Sequence, residues 1–437
     1  MSHPLRRLLV TLPAIVAVLA GAAPANAYDE ADLSASLTRQ MARATAASGL
    51  YVEDLDSGRR LFAQRADSAR LPASVEKLYT TATTLLRLGP NTTLATSAVS
   101  SAALDSGGVL HGNLVLVGDG DPFFGNAAAA RLARAVRAAG VKRIDGAVVG
   151  DESEFDSLRS GCCTGYDPDL GGVLSALAYD RGIFGGRAQV RAAPYAAARF
   201  AALLDAAGVR SAGKPRAGSA PIGAGTLAAE PSPDVRDLIR LTNVPSNNFA
   251  AEMLLKTLGA RYGARGSTLG GAAVVRTTLD DIGVRPHVVD GSGLSRKDHT
   301  TPHDVVRLLA RMDEPDVDGV FRASLAVAGV TGTVKARMRG TAAYRRCRVK
   351  TGTLHDVSGL AGYCRTVSGR DIAFAVLMNH VSDFNGAHAI QDRIAAAIAQ
   401  LGGAPAVTAP TTTSPTAPTT TTPATATSSP TGGAGPQ

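Results

Sequence analysis

Apolar positions change their period along this chain. SGLYVEDLDSGRRLFAQRAD, residues 48–67, alternates in two short runs around Asp-Ser-Gly and predicts a hairpin. PASVEKLYTTATTLL, residues 72–86, predicts a helix started by Pro72 and ended near Leu88-Gly89-Pro90. A strand-rich stretch follows, in TTLATSAV and GVLHGNLVLVGDGDP. Then come a helix in AAAARLARAVRAAG, a strand in IDGAVVGDESEF, a Gly-rich loop region and a helix in YAAARFAALLDAAG. From Pro231 the helical period resumes. SPDVRDLIRLTN is expected to be capped by Ser232 with Pro233 first in the helix. NNFAAEMLLKTLGARYG is a second helix. TTPHDVVRLLARM is a third, with Thr301 as cap and Asp304 three residues on. YRRCRVKTGTL, LAGYCRTVSG and DIAFAVLMNH read as strands, and GAHAIQDRIAAAIAQLGG as a closing helix. Strands at both ends with helices between predict an α+β layered domain interrupted by an insertion.

Both ends of the chain fall outside this pattern. Arg6 and Arg7 precede the apolar run LLVTLPAIVAVLAGAA, and PANA follows with small residues at Ala25 and Ala27. This is the layout of an export leader, residues 1–27, with cleavage expected before Tyr28. The run is short for a span and contains Pro13. An exported, extracytoplasmic protein with no stable membrane span after cleavage is therefore expected. From Ala404 the chain is almost wholly Thr, Pro, Ala, Ser and Gly, which cannot build a core; 404–437 is expected to be a disordered tail. The folded part divides into a discontinuous main domain, 28–92 with 231–403, and an inserted α+β domain, 93–230.

The 437 residues carry 45 Lys plus Arg against 37 Asp plus Glu; loss of Arg6 and Arg7 leaves 43 basic groups and a net charge of +6. That excess is spread out, and no basic stripe interleaved with aromatics marks a nucleic-acid binder. It suits an anionic wall or membrane surface. Of the four cysteines, Cys347 and Cys364 bracket an apparent hairpin and are the favoured pair, while Cys162 and Cys163 are adjacent and have no assigned partner. The Cys and His spacings do not form a zinc set, and no metal or organic cofactor is expected.

Three short motifs carry candidate chemistry. Ser74 and Lys77 share a helix face at i and i+3. Near a helix start, free N–H groups favour a developing oxyanion, and a buried lysine loses basicity and can take a serine proton. Taken singly, the same pair is also a capped helix beside a snorkelling lysine. Ser246-Asn247-Asn248 offers a hydroxyl relay and an amide, or else an ordinary cap. Lys350-Thr351-Gly352-Thr353 offers a charge, two hydroxyls for a carboxylate and a glycine that lets a substrate backbone approach, or else a strand ending in a turn. GDGDP, residues 118–122, reads as a turn, His303 and His355 as structural or exposed, and Asp290-Gly291-Ser292-Gly293 as a supporting turn near the site.

The three motifs in this order resemble the penicillin-recognising serine acyl-transferases. The surrounding text PASVEKLYTTATTLLRLGP, LVLVGDGDP, VPSNNFAAEMLL, VDGSGLSRKDHTTPHDVVRLL and VKTGTLHDVSGLAGY is similar to the D-alanyl-D-alanine carboxypeptidase/endopeptidase family. These are the class C low-molecular-mass penicillin-binding proteins, peptidase family S13. The resemblance covers nearly all of 28–403. It implies a β-lactamase-like serine transpeptidase fold, an antiparallel sheet flanked by helices plus a helical lobe, with one inserted domain. It implies Ser74 as nucleophile, Lys77 as base, Ser246 as proton relay and Lys350 as its electrostatic support. Asn248, Thr351, Gly352 and Thr353 would hold substrate, and the N–H groups of Ser74 and Thr353 would form the oxyanion hole. The expected partners are peptidoglycan stem peptides, with β-lactams as covalent inhibitors and no nucleic acid. A β-lactamase and a non-catalytic wall-binding scaffold are the rival readings.

Overall fold

Strands from the two ends of the sequence meet in one sheet. The computed structural model describes residues 27–161, 165–317 and 319–402. The leader up to residue 26, Cys162, Cys163 and the tail lie outside the described residues. The main sheet has six strands in the order Ala326–Val327, Cys347–Leu354, Val357–Arg365, Asp371–Asn379, Ser48–Asp54, Arg59–Gln64. Every neighbouring pair is antiparallel. The predicted hairpin thus borders the last strand of the protein, with Leu50 opposite Val376.

The sheet is covered on both faces, and the alternation of side chains assigns each residue to one of two cores. Leu50, Val52, Phe374 and Val376 pack with Leu33 and Leu37 of the Glu30–Ala42 helix and Ile390 and Ile394 of the Phe384–Ala399 helix. Tyr51, Ala375 and Leu377 pack the other way. They meet Leu78 and Tyr79 of the Lys77–Leu88 helix, Leu255 and Leu258 of the Asn248–Tyr262 helix, and Val305 and Leu309 of the Pro302–Arg311 helix. Cys347 stands directly opposite Cys364 and is disulfide-bonded to it, as the hairpin reading favoured. The Glu30–Ala42 and Thr268–Asp280 helices have no counterpart in the sequence reading.

The second sheet lies in the inserted stretch. Its five strands run in the order Arg216–Ala217, Val148–Asp151, Leu114–Val117, Thr93–Ser100, Gly225–Asp234. Helices Asn126–Ala138 and Ala192–Ala206 pack on it through Leu132, Val136, Phe200 and Leu204. The α+β class therefore holds for both sheets. Two details differ from expectation. The Gly225–Asp234 strand runs through residue 231, and the next helix begins at Val235 with Asp234 as cap, its carboxylate accepting from Asp237 N. Ser232 is still in the strand, where its hydroxyl accepts from Leu94 N at 2.9 Å. Thr93–Ser100 pairs with this strand on both sides of Ser232-Pro233, at Pro231 and at Asp234, so the local Ser-Pro cap signal loses to a tertiary partner.

Candidate active site

Pro72 leads into a 3-10 turn, Ala73–Glu76, and only then does the α-helix begin at Lys77. Ser74 therefore lies on the tight turn before the helix, not in its first turn as the sequence pattern predicts. A 3-10 turn has three residues per turn, so positions i and i+3 eclipse. This brings Lys77 Nζ to 2.7 Å from Ser74 Oγ. Ala73 holds the turn at a φ of +47°, a left-handed conformation that is costly for alanine.

Lys77 is fully buried. Besides Ser74 Oγ, its Nζ donates to Asn248 Oδ1 at 2.6 Å and to the Ser292 carbonyl at 2.5 Å. Burial lowers its pKa to about 8, against the opposing pull of Asp290, Glu252, Glu76 and Asp298. In the neutral amine two hydrogens remain. Asn248 Oδ1 and the Ser292 carbonyl can only accept, so they take both, and the lone pair is left facing the Ser74 hydroxyl.

Ser246 and Asn248 flank the start of the Asn248–Tyr262 helix. The cap itself is Asn247, whose side chain accepts from Ala250 N at 3.1 Å. Capping and site geometry are thus divided between neighbouring residues. Ser246 takes a φ of +60° and turns its hydroxyl toward Lys350, whose Nζ donates to Ser246 Oγ at 2.8 Å and to the Thr351 carbonyl at 2.8 Å. Lys350 is buried, which drives its pKa well below the usual lysine range, with the Lys77 charge acting in the same direction. Asn248 Nδ2 donates to the carbonyl of Asp169 at 2.8 Å, a residue of the inserted stretch. Both ends of its amide are engaged, so a substrate amide bound there must share or replace the Asp169 contact.

Lys350 to Thr353 lie on the Cys347–Leu354 strand. Thr351 donates its hydroxyl hydrogen to Thr333 Oγ1 at 2.8 Å, and Thr353 is exposed. A Cβ at Gly352 would stand 2.5 Å from the Pro72 carbonyl and 3.2 Å from Val75 N. Its missing side chain makes room for the Ser74 turn. The three motifs consequently close a ring: Lys77 bonds Asn248, Ser246 bonds Lys350, and Gly352 abuts Pro72.

The other candidates stay structural. In the GDGDP turn, Asp119 accepts from Ala95 N and pairs with Arg261 at 2.5 Å. Asp121 accepts from Phe123 N at 2.8 Å. His303 stacks on Tyr51 and bonds Asp67. The sequence reading missed the Ser292 and Asp169 carbonyls and the buried Glu252. Backbone acceptors leave no residue-type signal. Glu252 does leave one: it is the single acid of the Asn248–Tyr262 helix, set among Ala250, Ala251, Met253 and Leu254, four residues after Asn248.

The model of the D-Ala-D-Ala carboxypeptidase 3 (S13) family matches residues 30–168 and 172–401. The chain belongs to that family. Membership makes it a hydrolase of the serine-type D-Ala-D-Ala carboxypeptidase class, whose reaction lies outside the cytoplasm. The S13 chain is 29% identical to the D-alanyl-D-alanine carboxypeptidase of Actinomadura sp. (strain R39), over 90% of each chain. It is 30% identical to carboxypeptidase DacB of Mycolicibacterium smegmatis, over 75% of each. Penicillin binding protein 4 of Haemophilus influenzae shares the fold, with a TM-score of 0.69 at 22% identity over 82% of this chain and 97% of that one. Among the described residues no helix of this S13 protein is long and apolar enough to cross a membrane.

Proposed function

We propose that Ser74 is the acylated nucleophile of a serine D,D-peptidase acting on the D-Ala-D-Ala end of peptidoglycan stem peptides. The observation that carries this reading is the 2.7 Å contact between Ser74 Oγ and a buried Lys77 whose other two contacts are fixed acceptors. Lys77 takes the Ser74 proton as the oxygen attacks the carbonyl of the penultimate D-Ala. The N–H groups of Ser74 and Thr353 hold the oxyanion. Ser246, supported by Lys350, gives its proton to the departing amine and is reprotonated by the proton that Lys77 took from Ser74, and D-Ala leaves. Water then hydrolyses the Ser74 ester. Thr351 and Thr353 hold the terminal carboxylate, and Asn248 takes the substrate amide by displacing the Asp169 carbonyl. A D,D-cross-link presents the same carbonyl, so endopeptidase action uses the same acyl-enzyme. β-Lactams acylate Ser74 because their strained amide occupies the same place.

Residues 28–92 and 231–403 form the catalytic unit in this reading. Residues 93–230 form the inserted unit, whose last strand continues to Asp234. Residues 1–27 are the export leader, and the mature protein works at the wall. The deciding experiment is D-Ala release from a pentapeptide, with mass spectrometry of the penicillin adduct. Release by the wild type, with loss of both release and adduct in Ser74→Ala, supports the assignment. An adduct on another residue sinks it, and rapid turnover of penicillin makes the protein a β-lactamase.

A further inference from the structure

Lys77 is surrounded by acids. Glu76 precedes it on its own turn. Glu252 approaches from the Asn248–Tyr262 helix, and Asp290 and Asp298 from the loop before the Pro302–Arg311 helix. All four are buried. Lys350, on the strand, is a further charged neighbour. Four carboxylates together in this space would hold Lys77 protonated and useless as a base.

The hydrogen bonds distinguish the four. Asp290 accepts three backbone N–H bonds: from Ser292 at 3.1 Å and Gly293 at 2.6 Å on Oδ1, and from Ser295 at 2.7 Å on Oδ2. Three such donors are what an ionised carboxylate needs in a buried place. Both carboxyl oxygens of Glu76 are buried without a hydrogen-bond partner, which an ionised group cannot sustain. Glu252 Oε2 and Asp298 Oδ2 are likewise buried without a partner, although Asp298 Oδ1 accepts from Val289 N at 2.6 Å and Asp290 N at 3.3 Å; burial, with Asp290 next in weight, pushes Glu252 up to about 8 and Asp298 up to about 9. The same Asp290 bonds curl the loop so that the Ser292 carbonyl meets Lys77 Nζ and the Gly291 carbonyl accepts from Thr80 Oγ1 at 2.9 Å. Glu252 steadies the curl by accepting from Gly291 N at 2.9 Å. Gly293, at a φ of +78°, lies so close to the Ser74 turn that a Cβ would fall 1.9 Å from the Ala73 carbonyl.

We propose that Asp290 is the positioning residue of the catalytic lysine: it aims the Ser292 carbonyl at Lys77 and supplies the single negative charge in its surroundings, while Glu76, Glu252 and Asp298 are neutral. This rests on the reading of Lys77 as base to Ser74. Asp290 touches no substrate and acts only through the loop and its charge. A carboxylate this near stabilises the ammonium, so its removal lowers the pKa of Lys77.

The test is the rate of acylation by a fluorescent penicillin as a function of pH, with thermal unfolding recorded for each protein. The acidic limb of that profile reports the base of the free enzyme. Asp290→Asn keeps the side-chain shape and the Oδ1 acceptor. Its limb is expected to move to lower pH by about 1 unit or more. Glu76→Gln and Asp298→Asn replace neutral groups with neutral groups, and their limbs stay at the wild-type pH. A merely structural Asp290 would lower the rate without moving the limb, so a folded Asp290→Asn with an unmoved limb overturns the proposal. Should Asp290→Asn not fold, the other two variants decide. Unmoved limbs uphold the single charge, and a downward shift in either shows that the charge is shared and overturns it. A wild-type protein that penicillin fails to label overturns instead the assignment of Ser74.

Discussion

Gly352→Ala separates two roles for the glycine of the Lys-Thr-Gly motif. The alanine Cβ would stand 2.5 Å from the Pro72 carbonyl and 3.2 Å from both Val75 N and Val75 Cγ2, where ordinary contact begins at 3.4 Å. The first contact falls about 0.9 Å short, and its partner is backbone on the Ser74 turn, not a flexible side chain. The strand is held on one side, where Gly352 pairs with Gly359 of the Val357–Arg365 strand. The turn must move, and Ser74 and Lys77 move with it. A displacement near 1 Å at reacting groups costs on the order of 100-fold in rate. The expected result is therefore a loss of about two orders of magnitude in the limiting acylation rate by penicillin, read by stopped flow with saturating ligand. The melting point should show that the protein still folds. If Gly352 instead served substrate approach, alanine would weaken binding and leave the limiting rate intact. A limiting rate within threefold of wild type, in a variant of unchanged fold, would refute the packing argument.

Lys77→Gln keeps a polar group of similar length but no base, and acylation should fall by about 10² to 10⁴, measured by penicillin labelling. With Lys77 at about 8, the wild-type acylation rate should climb as pH rises toward that value, because only the neutral amine accepts the serine proton. A flat profile between neutral pH and 8 would contradict this. Lys256 is buried and bonds Asp156 of the inserted stretch at 2.6 Å. Lys256→Met alone strands that carboxylate and should cost about 3–5 kcal/mol in denaturant unfolding, whereas adding Asp156→Leu should restore most of it. Replacing Cys347 and Cys364 by Ala opens a loop closed across 17 positions. A loss of about 3 kcal/mol is expected, seen as a lower denaturant midpoint that reducing agent no longer changes.

What the sequence discloses of the site is what local spacing encodes. Ser74 and Lys77 are legible because three positions along a helical turn put two side chains together on any backbone of that class. The hairpin and the Cys347–Cys364 bridge are legible because alternation and turn residues are local too. The sequence places Asp290 near the site as a turn, but the buried carboxyls around Lys77 that it joins, Glu76, Glu252 and Asp298, come from three separate segments. Nor does any residue type announce that Asp169 will offer a carbonyl to Asn248, since all residues carry one. The start of the Val235–Asn243 helix, capped by Asp234, is hidden for a related reason. Ser232-Pro233 is a good local start signal, and only the distant Thr93–Ser100 strand makes it lose. The contact of Gly352 with the Ser74 turn is not legible either, because the space beside a glycine is defined by what packs there.

The pairing of Ser48–Asp54 with Asp371–Asn379 has a consequence for how the chain acquires its shape. A hairpin made early in synthesis cannot find its neighbour until more than 300 residues have followed. Until then it presents an open strand edge to other copies of itself. The five-stranded sheet has all of its strands within residues 93–234, so its pairing does not wait for that closure. Maturation should therefore proceed from the inside of the sequence outward, and the slow step should be the docking of the last strand on the first. The closed ends support this order: Tyr28 N donates to the Gln400 carbonyl and Gly402 N to the Tyr28 carbonyl. A circular permutant that joins these ends by a short linker and opens the chain at the exposed Asn91 would keep the Ser48–Asp54 and Arg59–Gln64 hairpin whole, bring it closer in sequence to Asp371–Asn379, and should refold faster than the natural order.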